Sequence, residues 1–296
     1  MLGFSFIVIF ATFATSPVKS GSMLIANPIY DVVFKYMMED LKVAKTFISA
    51  IIGEDVEELD FCPQELATRY TKDSLTVVRM DFLAKIKTAS GYKAVIIEMQ
   101  KALLSSDISR FRRYIGSQYQ SKNNVYKDKE GKEHSRPIYC IFFLGQGLDV
   151  PDVPVLTVTN LVKDRATGLA LHVHNEFIDS LHHQSWIVQI PHLKKHRRDD
   201  LEKLLSIFDQ SKITDSNHIL NIKEDDFPQE FRHIIRRLIQ AAESKEVAEQ
   251  MTAEDELIYD FQNLERQIAA RDALIEEKDR IIEELQNQLH QNTQKN

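Results

Sequence analysis

The sequence predicts a mixed α/β fold followed by a helical tail, and three observations carry that reading. Helix and strand signals run in the order helix, strand, strand, strand, helix, strand before about residue 150, an order expected of helices layered on a mixed sheet. The segment VVRMDFLAKI alternates between two sets of side chains, as a strand does. Near the C-terminus, Phe261, Ile268, Ile275, Ile282 and Leu289 recur every seven residues.

Taken in order, Asn27-Pro28 opens a helix near 29–39, on which Ile29, Val33, Tyr36 and Met37 recur at helical spacing. A second helix, LKVAKTFISAII, stops at Gly53. An extended segment near 56–70 precedes the strand that carries Asp81. In that strand Val78, Met80, Phe82, Ala84 and Ile86 form an apolar face, and Val77, Arg79, Asp81, Leu83 and Lys85 form the other. The next strand, ending VIIEMQK, puts Ile96, Glu98 and Gln100 on one face and Ile97 and Met99 opposite. With only Gly91 and its neighbours between the two runs, an antiparallel hairpin is the expected pairing. The serines of SSDISRFRRYIGSQYQSK suit an N-cap for the helix that follows. NNVYKDKEGKEH reads as a polar surface loop, and RPIYCIFFLG as a buried central strand. Beyond PDVP, strands are expected around 154–160, 168–176 and 185–190, and helices at 197–209 and 227–247. The expected organisation is an apolar N-terminal extension (1–22), a core (23–150), an α/β extension of that core (151–247) and an acidic helical tail (248–296).

Composition narrows the function. The 296 residues carry ordinary apolar and charged fractions for a soluble protein. Cys62 and Cys140 stand far apart with no C-x-x-C partner, which argues against a zinc module or a disulfide framework and fits a reducing compartment. The net charge of −7 is unevenly spread. Residues 251–296 hold eleven acidic and five basic side chains, whereas residues 101–136 hold nine basic and four acidic ones. Phosphate affinity follows local charge, so the acidic total does not exclude DNA, although a solvated surface explains the basic run equally well. The apolar run LGFSFIVIFATFA is nearer in length to a signal-peptide core than to a membrane span, and no Lys or Arg precedes Lys19. An over-extended start ahead of Met23, and a cytoplasmic protein with no membrane partner, are the expectation; a working signal is the alternative.

Asp81 and Glu98 are the candidate site. Two carboxylates converging at the end of a hairpin suit a hard divalent cation such as Mg²⁺. The competing reading is a strand carboxylate satisfied by a neighbour such as Arg79.

NPIYDVVFKYMMED, VVRMDFLAKIKT, VIIEMQK and DISRFRRYIGSQY, in that order, resemble the PD-(D/E)XK nuclease family transposases, a recombination-promoting nuclease group of the restriction-endonuclease-like superfamily. The resemblance covers roughly residues 23–145 and weakens towards the tail. It implies a restriction-endonuclease-like core and a metal-dependent endodeoxyribonuclease acting on double-stranded DNA, with Mg²⁺ as cofactor and Mn²⁺ as a substitute. Asp81 and Glu98 match the motif's two acidic metal ligands, and Gln100 occupies the position where the superfamily pattern usually has lysine. Asp31 matches the acidic position of the first helix, with Lys35 one turn later. Glutamine can orient a water or a phosphate oxygen but supplies no charge. Lys85 shares the Asp81 face but lies roughly 13 Å along the strand.

On the following helix, Arg110, Arg113, Tyr114, Ser117 and Gln118 fall at helical spacing, suited to phosphate contact or to local pairing such as Asp107 with Arg110. Lys127, Lys129 and Lys132 suit a DNA backbone or plain solvent. His172 and His174 form an H-x-H pair without further ligands at useful spacing. No nucleophile elbow, P-loop or dinucleotide fingerprint is present. Two functions stay open: an active Mg²⁺-dependent endonuclease promoting recombination, or a catalytically weak DNA-binding and assembly module. In both, the heptads of the tail predict a coiled-coil homodimer, or failing that a single helix packed on its own domain. Arg271 and Lys278 weaken the second core register, which otherwise holds Leu264 and Leu285.

Overall fold

A computed structural model of the protein describes residues 21–62, 67–71, 74–78, 82–101, 107–122, 124–173 and 175–294. Asp81, most of the N-terminal extension and His174 therefore lie outside the described residues, as does the side chain of Arg110.

Strand β1 (Ser22–Ala26) leads into two short helices, α1 (Asp31–Met38) and α2 (Leu41–Ile52). Asp40 separates them: its carboxylate accepts from the backbone N–H groups of Lys42 and Val43 at 2.9 and 3.1 Å, which caps α2. Gly53, at φ +72°, ends α2 in the left-handed conformation that glycine adopts without steric cost. Val43, Ala44, Phe47, Ile48, Ile51 and Ile52 repeat at three- and four-residue intervals and are buried.

Next come β2 (Glu58–Phe61), β3 (Ala67–Thr71), β4 (Ser74–Val78), β5 (Phe82–Thr88) and β6 (Gly91–Gln100). The sequence reads 77–86 as one strand; of that run the described residues are 77–78, in β4, and 82–86, in β5. β4 pairs with β3 in a separate two-stranded sheet, and only β5 joins the central sheet. Within β5 the expected alternation holds: Phe82, Ala84 and Ile86 are buried, and Leu83 and Lys85 are partly exposed. β5 and β6 form the expected antiparallel hairpin, in register from Phe82↔Ile97 to Thr88↔Gly91. Residues Ala94–Met99 of β6 are buried without interruption, as in a strand covered on both faces.

Helix α3 (Asp107–Gln120) then crosses over to β9 (Ile138–Leu144), which runs parallel to β6. Between them, β7 (Val125–Lys127) and β8 (Glu133–Ser135) make a hairpin where a surface loop is expected. Asp128 builds its turn by accepting from the N–H groups of Glu130 and Lys132, and Gly131 supplies φ +82°.

The core does not close at residue 150. β10 (Val155–Val158) and β11 (His183–Gln189) complete a six-stranded mixed sheet in the order β10-β11-β9-β6-β5-β2, in which β6, β9 and β11 are parallel. Among the described residues of 168–176, no strand forms. One isolated bridge, Lys163↔Ala170, holds that excursion, and Asn175 caps the short helix α4 (Glu176–Ser180) through the N–H groups of Phe177 and Ile178. Alternation alone builds no strand without a neighbour to supply hydrogen bonds. Helix α5 (Asp200–Leu205), strand β12 (Ile219–Lys223) and helix α6 (Arg232–Glu243) follow. β12 pairs antiparallel with β1, tying the two ends of the folded body together.

One hydrophobic core spans Ile25 to Met251 on the sheet face covered by α1, α2 and α6. Phe34, Phe47, Phe143 and Phe208 form its centre, with the rings of Phe143 and Phe208 4.7 Å apart. On the opposite face, α3 packs Ile115 and Phe111 against Ile96, Ile138, Cys140 and Phe142. The tail is one continuous helix, α7 (Lys245–Gln294). Val247 and Met251 dock on the core, while Ile268, Ile275 and Ile282 are each more than half exposed. No helix among the described residues is long and apolar enough to cross a membrane.

Candidate functional site

The carboxyl ends of β6, β9 and β11 lie side by side, with Gln100 opposite Leu144 and Leu144 opposite Gln189. Gly145 follows β9 and donates its N–H to the Gln100 carbonyl at 2.7 Å. A Cβ at Gly145 would fall against the carbonyls of Gln100 and Lys101, so the close approach of these strand ends requires glycine.

Glu98 sits near this edge, 2% exposed and in register with Phe142. The alternation of β6 gives it the same sheet face as Ile96, the face packed by α3. Gln100 ends the strand on that face, partly exposed. The β5–β6 register is described as far as Phe82↔Ile97, the pair next to Glu98 in one strand and next to Asp81 in sequence.

Asp31 and Lys35 reach the same region from the other layer. They form an i,i+4 ion pair of 2.7 Å. Lys35 also lines a cleft of about 260 Å³ with Phe61, Cys62, Phe82 and Leu83, where α1 meets the start of β5. The expected DNA-contacting helix face divides. Arg113 is exposed, Gln118 is partly buried, and Tyr114 is 3% exposed, so Tyr114 packs α3 against the sheet.

A polar junction that the sequence did not suggest joins α7 to this edge. Lys101, the residue after Gln100, stands 3.2 Å from the centre of the Tyr30 ring and forms an ion pair with Asp255. Asp255 also accepts from the Tyr30 hydroxyl at 2.9 Å and bonds His218 Nε2 at 3.0 Å. Burial opposes ionisation of Asp255, but its bonds from Lys101, His218 and Tyr30 outweigh burial and hold the carboxyl below its usual range. Burial first, then the hydrogen bond to Asp255, pushes the Tyr30 phenol far up, so it stays protonated.

Next to it, Glu254 Oε2 accepts the backbone N–H of Asp31 at 3.0 Å, so a tail residue caps the helix carrying the candidate acidic residue. Burial raises the Glu254 carboxyl to about 7, with the Asp31 charge adding to the rise and the Asp31 N–H and Lys101 opposing it. The only sequence signal for this junction was the acidic triplet Glu254-Asp255-Glu256 in an otherwise heptad-patterned tail.

Chemically, Glu98 and Gln100 offer hard oxygen donors on one strand, suited to Mg²⁺ rather than to a soft metal. Among the described residues, no three His, Cys, Asp or Glu side chains cluster as a metal site by themselves. No family model matches the chain, and neither a curated protein nor a solved structure matches it.

Proposed function

We propose that the protein is a Mg²⁺-dependent DNA endonuclease of the PD-(D/E)XK transposase type, with a restriction-endonuclease-like core. The observation that supports this most is the buried carboxylate of Glu98, on the second strand of an antiparallel hairpin whose strand leads through α3 into a parallel neighbour. A carboxylate is rarely fully buried unless it is paired or coordinates a metal. The reading requires Asp81 to stand beside Glu98, as period-two alternation from Phe82 expects.

Asp81 and Glu98 would hold the ion; bound there, Mg²⁺ (or Mn²⁺) makes water more acidic and offsets charge on the scissile phosphate. Gln100 orients the attacking water or a phosphate oxygen, and Asp31, fixed by Lys35 and by the Glu254 cap, holds a bridging water from the other layer. Arg110 and Arg113 supply phosphate contacts along α3. The exposed heptad stripe of α7 supports a homodimer through the tail.

Purified protein with supercoiled plasmid and Mg²⁺ tests this. Nicking is expected, reduced at least 100-fold by Asp81→Ala or Glu98→Ala and absent with EDTA. DNA binding without any metal-dependent nicking would favour the second reading, a DNA-binding and assembly module, for which glutamine in place of lysine at position 100 speaks.

A further inference from the structure

Beyond β11 the chain reads HLKKHRRDD, and this segment shapes one wall of an open cleft of about 500 Å³. Five cationic side chains line it: Lys194, Lys195, Arg197, Lys203 and Lys212. Its two carboxylates are Asp209 and Asp226. Asp209 is spent internally. Its side chain is 3% exposed and held by Arg197 at 3.0 Å and by the Ser211 hydroxyl at 2.7 Å. Lys195 and Lys203 pair with Asp152 and Asp200 at 3.2 and 2.8 Å, but these pairs are solvent-exposed and weak. Lys194 and Lys212 are exposed, and among the described residues no carboxylate lies within ion-pair distance of either. The cleft therefore presents a surplus of positive charge that the protein itself does not satisfy.

Its position gives that charge a direction. The segment leaves the carboxyl end of β11, the same sheet edge at which β6 ends in Gln100 and Lys101. Two strand spacings separate the ends of β6 and β11, roughly 10 Å. The intervening loop is fixed: Gln189 bonds the Leu148 N–H at 2.8 Å and the Val153 carbonyl at 2.7 Å, and Asp152 ties the loop to His192 and Lys195.

We propose that this cleft is a second nucleic-acid contact, taking the phosphodiester backbone of a duplex. The choice of a duplex as ligand rests on the nuclease reading; the surplus charge does not. Backbone contacts position a duplex without reading its sequence.

The test is binding of a 25-base-pair fluorescent duplex in EDTA across a salt series, with plasmid nicking in Mg²⁺ measured in parallel. For Lys194→Gln/Lys212→Gln, affinity is expected to fall 5- to 20-fold at 0.1 M salt, and the slope of log K against log salt to flatten by about two. Lys194→Arg/Lys212→Arg is expected to bind as wild type, which separates charge from folding damage. Unchanged affinity and slope in the glutamine variant would overturn the proposal, as would a wild-type protein that binds anionic vesicles but no duplex. Weakened binding with no nicking by wild type would keep the cleft and remove the nuclease; metal-dependent nicking with undisturbed binding would do the reverse.

Discussion

Glu254→Gln should stabilise the protein at pH 8 and leave it unchanged near pH 4. Burial raises the Glu254 carboxyl from 4.5 to about 7, so the folded state binds this proton more tightly than the unfolded state does. Below pH 4.5 both states are protonated and the group contributes nothing. Between pH 4.5 and 7 the unfolded state releases the proton first, and stability falls as pH rises. Above pH 7 the cost is complete, at most about 3 kcal/mol and reduced to about 1–2 by solvent screening of a partly exposed group. Glutamine keeps an oxygen to accept the Asp31 N–H, so the cap on α1 survives while the charge is gone. Urea titrations at pH 4, 6 and 8 read the effect directly: the wild-type minus variant difference should be near zero at pH 4 and favour the variant by about 1–2 kcal/mol at pH 8. A variant destabilised at pH 6 and 8 but little changed at pH 4 would show that the carboxylate is a favourable helix cap, and would refute a Glu254 whose charge is opposed by burial.

Two further perturbations follow from the same accounting. Glu54 is held down to about 2, since its bonds from Ser90, Thr88 and Lys93 outweigh the burial that opposes its charge, and Lys93 is 4% exposed. Glu54→Gln should therefore cost about 1–3 kcal/mol at pH 7, an effect that fades as pH falls from 4.5 towards 2, measurable by thermal melts. In the tail, Ile268→Asp/Ile275→Asp should convert a dimer into a monomer by light scattering while leaving the circular dichroism of the core intact; a wild-type monomer would show that the exposed stripe has another use.

What the sequence revealed and what it hid have one physical origin. Local periodicity carried the helices, the β5–β6 hairpin and the burial of β9, because each is decided by neighbours within a few residues. It did not show that 77–78 and 82–86, which alternate in phase, pair with different partners. It also missed the β7–β8 hairpin, whose turn depends on how Asp128 and Gly131 bend a polar run. Pairings across 190 residues or more, such as β1 with β12, leave no periodic trace at all.

The candidate site divides along the same line. Glu98 and Gln100 were legible because strand alternation fixes their shared face. Tyr114 was misread as a surface residue because helical spacing defines a face without saying which way it points. Phe111, Tyr114, Ile115 and Gln118 turn out to share the packed side of α3. Lys101, Tyr30, His218, Glu254 and Asp255 come from four separate parts of the chain and meet only because parallel β6 ends where α1 begins and α7 passes. The sheet edge is what gathers them. A mixed sheet with three parallel strands places the ends of β6, β9 and β11 together, and with them a buried glutamate, a close-packed glycine and a basic cleft. Ligands of open α/β sheets bind at such carboxyl ends. The nuclease reading rests on the buried glutamate at that edge, and the proposed phosphate contact on the basic segment that leaves β11 there.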